Sequence, residues 1–302
     1  MNRNSGYHSL LLGMIVILIM SLYSPVSAHN FSTNESAAFL AMTDVLKAEV
    51  QLVQQNLVNN NMSLANDHAN KALVLITDDV NKEIAERNQR LSDDLNTDLA
   101  SLMASTESAS GNNATSDTDI LVEDINGILD EIVSARIDPD QLNNSTTQAL
   151  RMVELVDKLL TNYGDAYAIG FDMTNMSMMM GSDSDGITPL SATDTSMDNQ
   201  SNSNMSMGGG MSVNNTSTSD ATLVNTTDYQ SAQALATKVQ ELSDSQIMNS
   251  QKSSGTAIDN IRSTLQELVT SINSKASPMD VMTIVHTKLH PNLITAFNLK
   301  LR

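Results

Sequence analysis

Nine of the chain's 19 methionines, Met173, Met176, Met178, Met179, Met180, Met197, Met205, Met207 and Met211, fall in one short tract of Ser, Asn, Asp, Gly and Thr. Met-x-Met and Met-x-x-Met spacings in an extended chain let two or three thioethers converge on one ion. Thioether sulfur is soft and uncharged, so it selects Cu(I) over Zn, Mg or Ca, and unlike thiolate it needs no reducing compartment. Histidine, the other plausible ligand type, is scarce. Near the C-terminus Met279, Met282, His286 and His290 follow i, i+3, i+7, i+11 spacing and form one stripe on a helix, bordering an apolar face of Val281, Val285 and Leu289. His286 and His290 could share an ion, with the methionines as soft neighbours. The competing expectation is ordinary packing, with Pro291 pushing His290 toward extended backbone.

Met176-Ser177-Met178-Met179-Met180 and Met205-Ser206-Met207-Gly208 resemble the extracellular Met clusters of copper transporters and of Met-rich periplasmic copper-handling proteins. The resemblance covers only these stretches; it implies capture or relay of copper and carries no fold with it. Two other readings stand beside it: a flexible spacer, and a sacrificial sink for oxidants, since exposed Met readily forms the sulfoxide. His29 adds a third metal candidate. As a mature N-terminus it would present both α-amine and imidazole, a chelate that resembles half of a copper histidine brace.

That N-terminus follows from the first residues. Arg3, an apolar run from Leu10 to Met20, and Ser24-Pro25-Val26-Ser27-Ala28 form the three-part pattern of a secretory signal. The run is shorter than the ~20 residues of a membrane span, so residues 1–28 are expected to be cleaved, and no integral membrane segment remains. An uncleaved anchor is the alternative, and both place the rest of the chain outside. Asn-x-Ser/Thr triplets are frequent, among them Asn61, Asn143 and Asn225, and fit a glycosylated surface.

Composition narrows the partners. A net charge of -19 repels phosphate backbones, and 3% aromatic residues with Trp 0 remove the stacking surfaces that nucleic acid needs. No nucleic acid is expected. A copper donor or acceptor protein is the partner implied; the oligomeric state is open. No nucleophile stands near a base in any recognisable motif, so an enzyme is not expected.

With Cys 0, an exported chain has no covalent staple, and its 40% hydrophobic residues must supply a packed core. Their spacing is helical. Phe39, Met42, Leu46, Val50, Val53 and Leu57 form one stripe, broken at Asn59-Asn60-Asn61. Leu73 to Leu102 form a second, as one helix or two, with a loop from Ser105 to Ser116. Leu121 to Ile137 form a third, ended by Asp138-Pro139. Ser145-Thr146-Thr147-Gln148 reads as a capping box opening a fourth helix that closes at Gly164. Leu235 to Leu242 and Ile258 to Ile272 resume the period, and Ser277-Pro278-Met279-Asp280 opens the last helix.

The expected fold is therefore all-α, an antiparallel helical bundle or set of hairpins interrupted by a long disordered segment. A helical region over 29–168 precedes a Met-rich, low-complexity segment over 169–224, too poor in branched apolar residues to offset its ordering entropy. A C-terminal helical region over 225–302, small for an unstapled domain, is expected to pack on the first. The function so read is an exported helical protein binding Cu(I) through its Met tract, as buffer, store or relay. A structural or protein-interaction surface protein with the tract as spacer is the alternative.

Overall fold

The computed structural model describes residues 30–108, 114–170, 172–174, 222–247 and 255–300. The fold is all-α, with no strand among the described residues. Two compact units divide the chain, Met1–Thr147 and Gln148–Arg302. The division falls ahead of the low-complexity tract, so the helix expected to close the N-terminal region belongs with the C-terminal ones.

In the first unit, α1 (Thr33–Val58) starts at a capping box: Ser32 Oγ accepts from Glu35 N, and Ser32 N donates to Glu35 Oε2 at 2.7 Å. Its expected stripe is buried, with Met42 packed at the margin of the core. The second stripe is three helices, not one or two: α2 (Met62–Leu75), α3 (Asp78–Ala85) and α4 (Gln89–Ser108). Thr77 makes the first break, its side chain accepting from Val80 N while Asp78 and Asp79 fill the first turn. Ser92-Asp93-Asp94 starts nothing, because the helix is already running. The loop expected from Ser105 is also shorter, since α4 continues to Ser108 and α5 (Ala114–Arg136) begins before Ser116.

Cross-helix bonds fix the directions. Lys47 meets Asp130 at 2.5 Å and Gln54 meets Asp119 at 2.8 Å, so α1 and α5 run antiparallel. Arg90 to Glu131 and Ser105 to Thr118 give the same sense for α4 and α5. The core between them is aliphatic, built on Leu46, Val50, Leu95, Leu99, Ile125 and Ile132. A single turn, α6 (Pro139–Leu142), is capped by Asp138.

In the second unit, α7 (Ser145–Ala166) is capped not by Ser145 but by Asn144, whose Oδ1 accepts from Thr146 N at 2.8 Å and Thr147 N at 3.3 Å. Asn competes well for this role, and one residue of shift is enough to replace the expected box. Gly164 does not close the helix, which runs on to Ala166; the turn comes at Ala168, with φ of 51°. Beyond it lie α8 (Thr226–Ile247), α9 (Gly255–Asn273) and α10 (Pro278–Ile284), then a π-helical turn, Val285–Leu289, and α11 (His290–Phe297).

Gln233 to Asn273 and Asp244 to Arg262 set α8 against α9; Asn260 to Asn292 and Glu267 to Lys288 set α9 against the last segment, both pairs antiparallel. Two tyrosines fasten the end of this bundle. Tyr163 donates to the carbonyl of Ala276 at 2.7 Å and Tyr229 to that of Ile272 at 2.8 Å. Burial pushes the Tyr163 hydroxyl upward, so it stays a donor.

Candidate functional site

The last helix opens as expected: Ser277 is the N-cap, its oxygen accepting from Asp280 N at 3.2 Å, and Pro278 occupies the first turn, where no N–H is missed. Pro291 then imposes the π-turn. It has no N–H to give the carbonyl one turn back, and its ring crowds that turn. The backbone widens, and His290 N donates to Val285 O five residues earlier. Asn292 Nδ2 satisfies the Lys288 carbonyl at 2.7 Å. His290 is thus helical, with φ of -58° and ψ of -47°, rather than extended as the proline suggested.

Val281, Val285 and Leu289 are fully buried, and Met282 joins them in the core, whereas Met279 is partly exposed. The stripe therefore splits by burial. His286 and His290 sit at the margin, their rings edge to face with centroids 5.2 Å apart.

Met173 reaches the same place. Its carbonyl lies 2.9 Å from His286 Nε2, and its side chain, 3% exposed, packs over Gly164, where an added Cβ would stand 3.1 Å from the sulfur. Asp172 holds the turn, its Oδ1 accepting from Thr174 N at 2.9 Å and Thr174 Oγ1 at 2.6 Å. These bonds, with His286 nearby, hold the Asp172 carboxyl below its ordinary range. The return of the chain is fixed at the same helix end. Val224 N and Asn225 N both donate to the carbonyl of Ala166, at 2.9 and 3.1 Å, and Asn225 then caps α8.

His290 differs from His286. Its Nε2 is buried with no hydrogen-bond partner and lies 3.7 Å from Asp157 Oδ1, beyond hydrogen-bonding range. Nor is this an ion pair at neutral pH. Burial, with His286 beside it, pushes the His290 imidazole down to about 4, and burial, with Glu154 and Asp172 nearby, pushes the Asp157 carboxyl up to about 7. The ring is neutral at that pH, and its buried Nε2 has no hydrogen-bond partner.

Of the metal candidates, then, Met173, His286 and His290 come together. Met176, Met178, Met179, Met180, Met197, Met205, Met207, Met211 and His29 lie outside the described residues. Among the described residues no three His, Asp or Glu side chains are grouped to hold an ion, and no helix is long and apolar enough to cross a membrane. Asp157 and Asp172 went unnoticed in the sequence, and Gly164 reads there only as a helix stop, because nothing marks the three as neighbours of a histidine far along the chain.

The first unit offers a contrasting feature, an open groove lined by Asp94, Asp98, Glu123, Asp124 and Glu131. Burial and the neighbouring Asp124 and Asp94 push the Asp98 carboxyl up. Arg90 neutralises the rim through Asp94 and Glu131, both at 2.6 Å. No protein-family model, curated protein or solved structure matches the chain.

Proposed function

We propose that the protein is an exported, acidic helical scaffold that binds Cu(I) through the methionines of Met173 to Met211 and buffers it, stores it or passes it to a copper-handling partner. The observation that carries this reading is the anchoring of the tract. The carbonyl of its first methionine accepts from one of two adjacent imidazoles, and the chain at Met173 before it and at Val224 and Asn225 after it meets the last turn of α7. The tract thus begins beside the histidines. This anchoring also weighs against the spacer reading, because a spacer's ends belong to different bodies, whereas these two ends share one.

The chemistry supports Cu(I) over Zn. Thioethers have no proton to lose, so binding by the tract should vary little with pH, while ordering the chain around an ion costs ~1 to 2 kcal/mol per residue fixed and keeps affinity per site modest. Anaerobic competition against a chromophoric Cu(I) chelator is the test. The wild type is expected to withdraw Cu(I) and to leave Zn in solution. Replacing the tract's Met by Leu, which keeps bulk and removes sulfur, should abolish most of that uptake. A wild type that withdraws no Cu(I) would leave the spacer reading in its place.

A further inference from the structure

We propose that the second unit carries a separate, preformed Cu(I) position on the π-turn, in which His286 Nδ1 and His290 Nε2 are the ligands. It rests on the Cu(I) reading of the tract only in that the tract would supply the ion. The fixed position would be where the ion comes to rest.

Three features of the geometry point here. A carbonyl only accepts, so the 2.9 Å contact with Met173 O places the proton of His286 on Nε2, and the neutral ring keeps its lone pair on Nδ1. Donation of the second ring N–H to a backbone carbonyl is the arrangement that orients metal-bound histidines and raises their basicity. His290, for its part, holds a buried Nε2 with no hydrogen bond, an arrangement that costs free energy unless a ligand engages that nitrogen. Finally, the ring centroids stand 5.2 Å apart, edge to face on successive turns, so the two imidazoles are direct neighbours.

The π-turn gives the pair its setting. Such turns recur at functional sites, and this one is held in place by Pro291, so the rings are positioned before any ion arrives. Two neutral donors suit a monovalent ion. Imidazole nitrogen suits copper among the softer ions, and the Asp157 carboxyl, 3.7 Å from His290 Nε2, stands near enough to balance one positive charge. Moving from tract to site would then exchange thioether for imidazole without any change in the charge of the ligands.

The test uses the full chain with every methionine from Met176 to Met211 changed to leucine, leaving Met173 in place. Anaerobic Cu(I) competition and X-ray absorption are read on the wild type, on this variant, and on the variant carrying His286→Gln or His290→Leu. Glutamine retains an N–H for the Met173 carbonyl and loses the ring nitrogen, so it separates ligation from folding, and circular dichroism checks each variant. The expected result is one Cu(I) retained by the leucine variant with nitrogen scatterers, its affinity falling at least about tenfold with either histidine change. Loss of all Cu(I) from the leucine variant, with sulfur-ligated Cu(I) on the wild type, would overturn the fixed position and leave the tract reading standing. One nitrogen-ligated Cu(I) on both would support the fixed position and remove the tract. Unchanged binding after both histidine changes would overturn it.

Discussion

The two units solve the same problem, a histidine inside a helical bundle, in opposite ways. In the first unit His68 is fully buried between α1 and α2, with Nδ1 2.7 Å from Glu49 Oε2, and Lys71 stands 3.5 Å from the same carboxylate. In the second, His290 has a buried ring nitrogen and no hydrogen bond to fill it. A satisfied imidazole contributes to folding. An unsatisfied one weakens folding and is available for binding, and the comparison predicts that changing each should move stability in opposite directions.

The largest effect belongs to His68→Ala. It removes one partner of the Glu49 carboxylate, which is 1% exposed, and breaking a buried pair costs about 3 to 5 kcal/mol. Chemical denaturation should show that loss, while Cu(I) uptake per folded molecule stays unchanged. A loss in the surface range, below about 0.5 kcal/mol, would end the contrast.

His290→Leu should act the other way. Removing a buried nitrogen without a partner relieves about 1 to 3 kcal/mol of desolvation, offset by imperfect packing of the leucine, so the metal-free protein should gain about 1 kcal/mol in the same measurement. Destabilisation would mean that the Asp157 contact is worth more than its 3.7 Å suggests.

A third test separates Asp157 from His290 by pH in the metal-free protein. His290, pushed down to about 4, disfavours the proton in the folded state, so its contribution is lost as pH falls from 6.5 to 4. Asp157, pushed up to about 7, favours the proton when folded, so its contribution is lost as pH rises from 3.8 to 7. In the wild type the two slopes oppose between pH 4 and 6.5. Asp157→Asn should leave stability rising with pH in that window, and His290→Leu should leave it falling. Each slope should be well under the ~1.4 kcal/mol per pH unit of a full proton, because Asp157 is 39% exposed and solvent screens it. Thermal midpoints across pH would show both signs.

The smallest effect is expected from leucine throughout Met176 to Met211. Stability should stay within about 0.5 kcal/mol of wild type, since the core of the second unit is built from α7 to α11. A larger shift in the denaturation midpoint would mean that the tract packs on the bundle.

Spacing alone exposed the stripes on α1, α5, α7 and α9, because a core face repeats every helical turn and needs no knowledge of its partner. It also read Ser277-Pro278 correctly, where the cap is local. It failed where the decisive contact is distant. His68 has only Leu64 and Ala72 beside it in its own stretch of sequence, yet Glu49 on another helix draws it fully inside. Met173 and His286 lie 113 residues apart, and no period links them. Thr77-Asp78-Asp79, by contrast, was a visible helix start, overridden by an apolar stripe that continues across the break.

The carbonyl of Ala166 receives the returning chain at Val224 and Asn225, close to where Asp172 and Thr174 turn the outgoing one. The scaffold is thereby indifferent to what the intervening residues contain. For a flexible insertion, doubling its length adds only about 0.6 kcal/mol of closure entropy. The methionine tract is in this sense a cartridge. Its length and methionine number are free to drift or to be re-engineered while the helices that carry it stay the same.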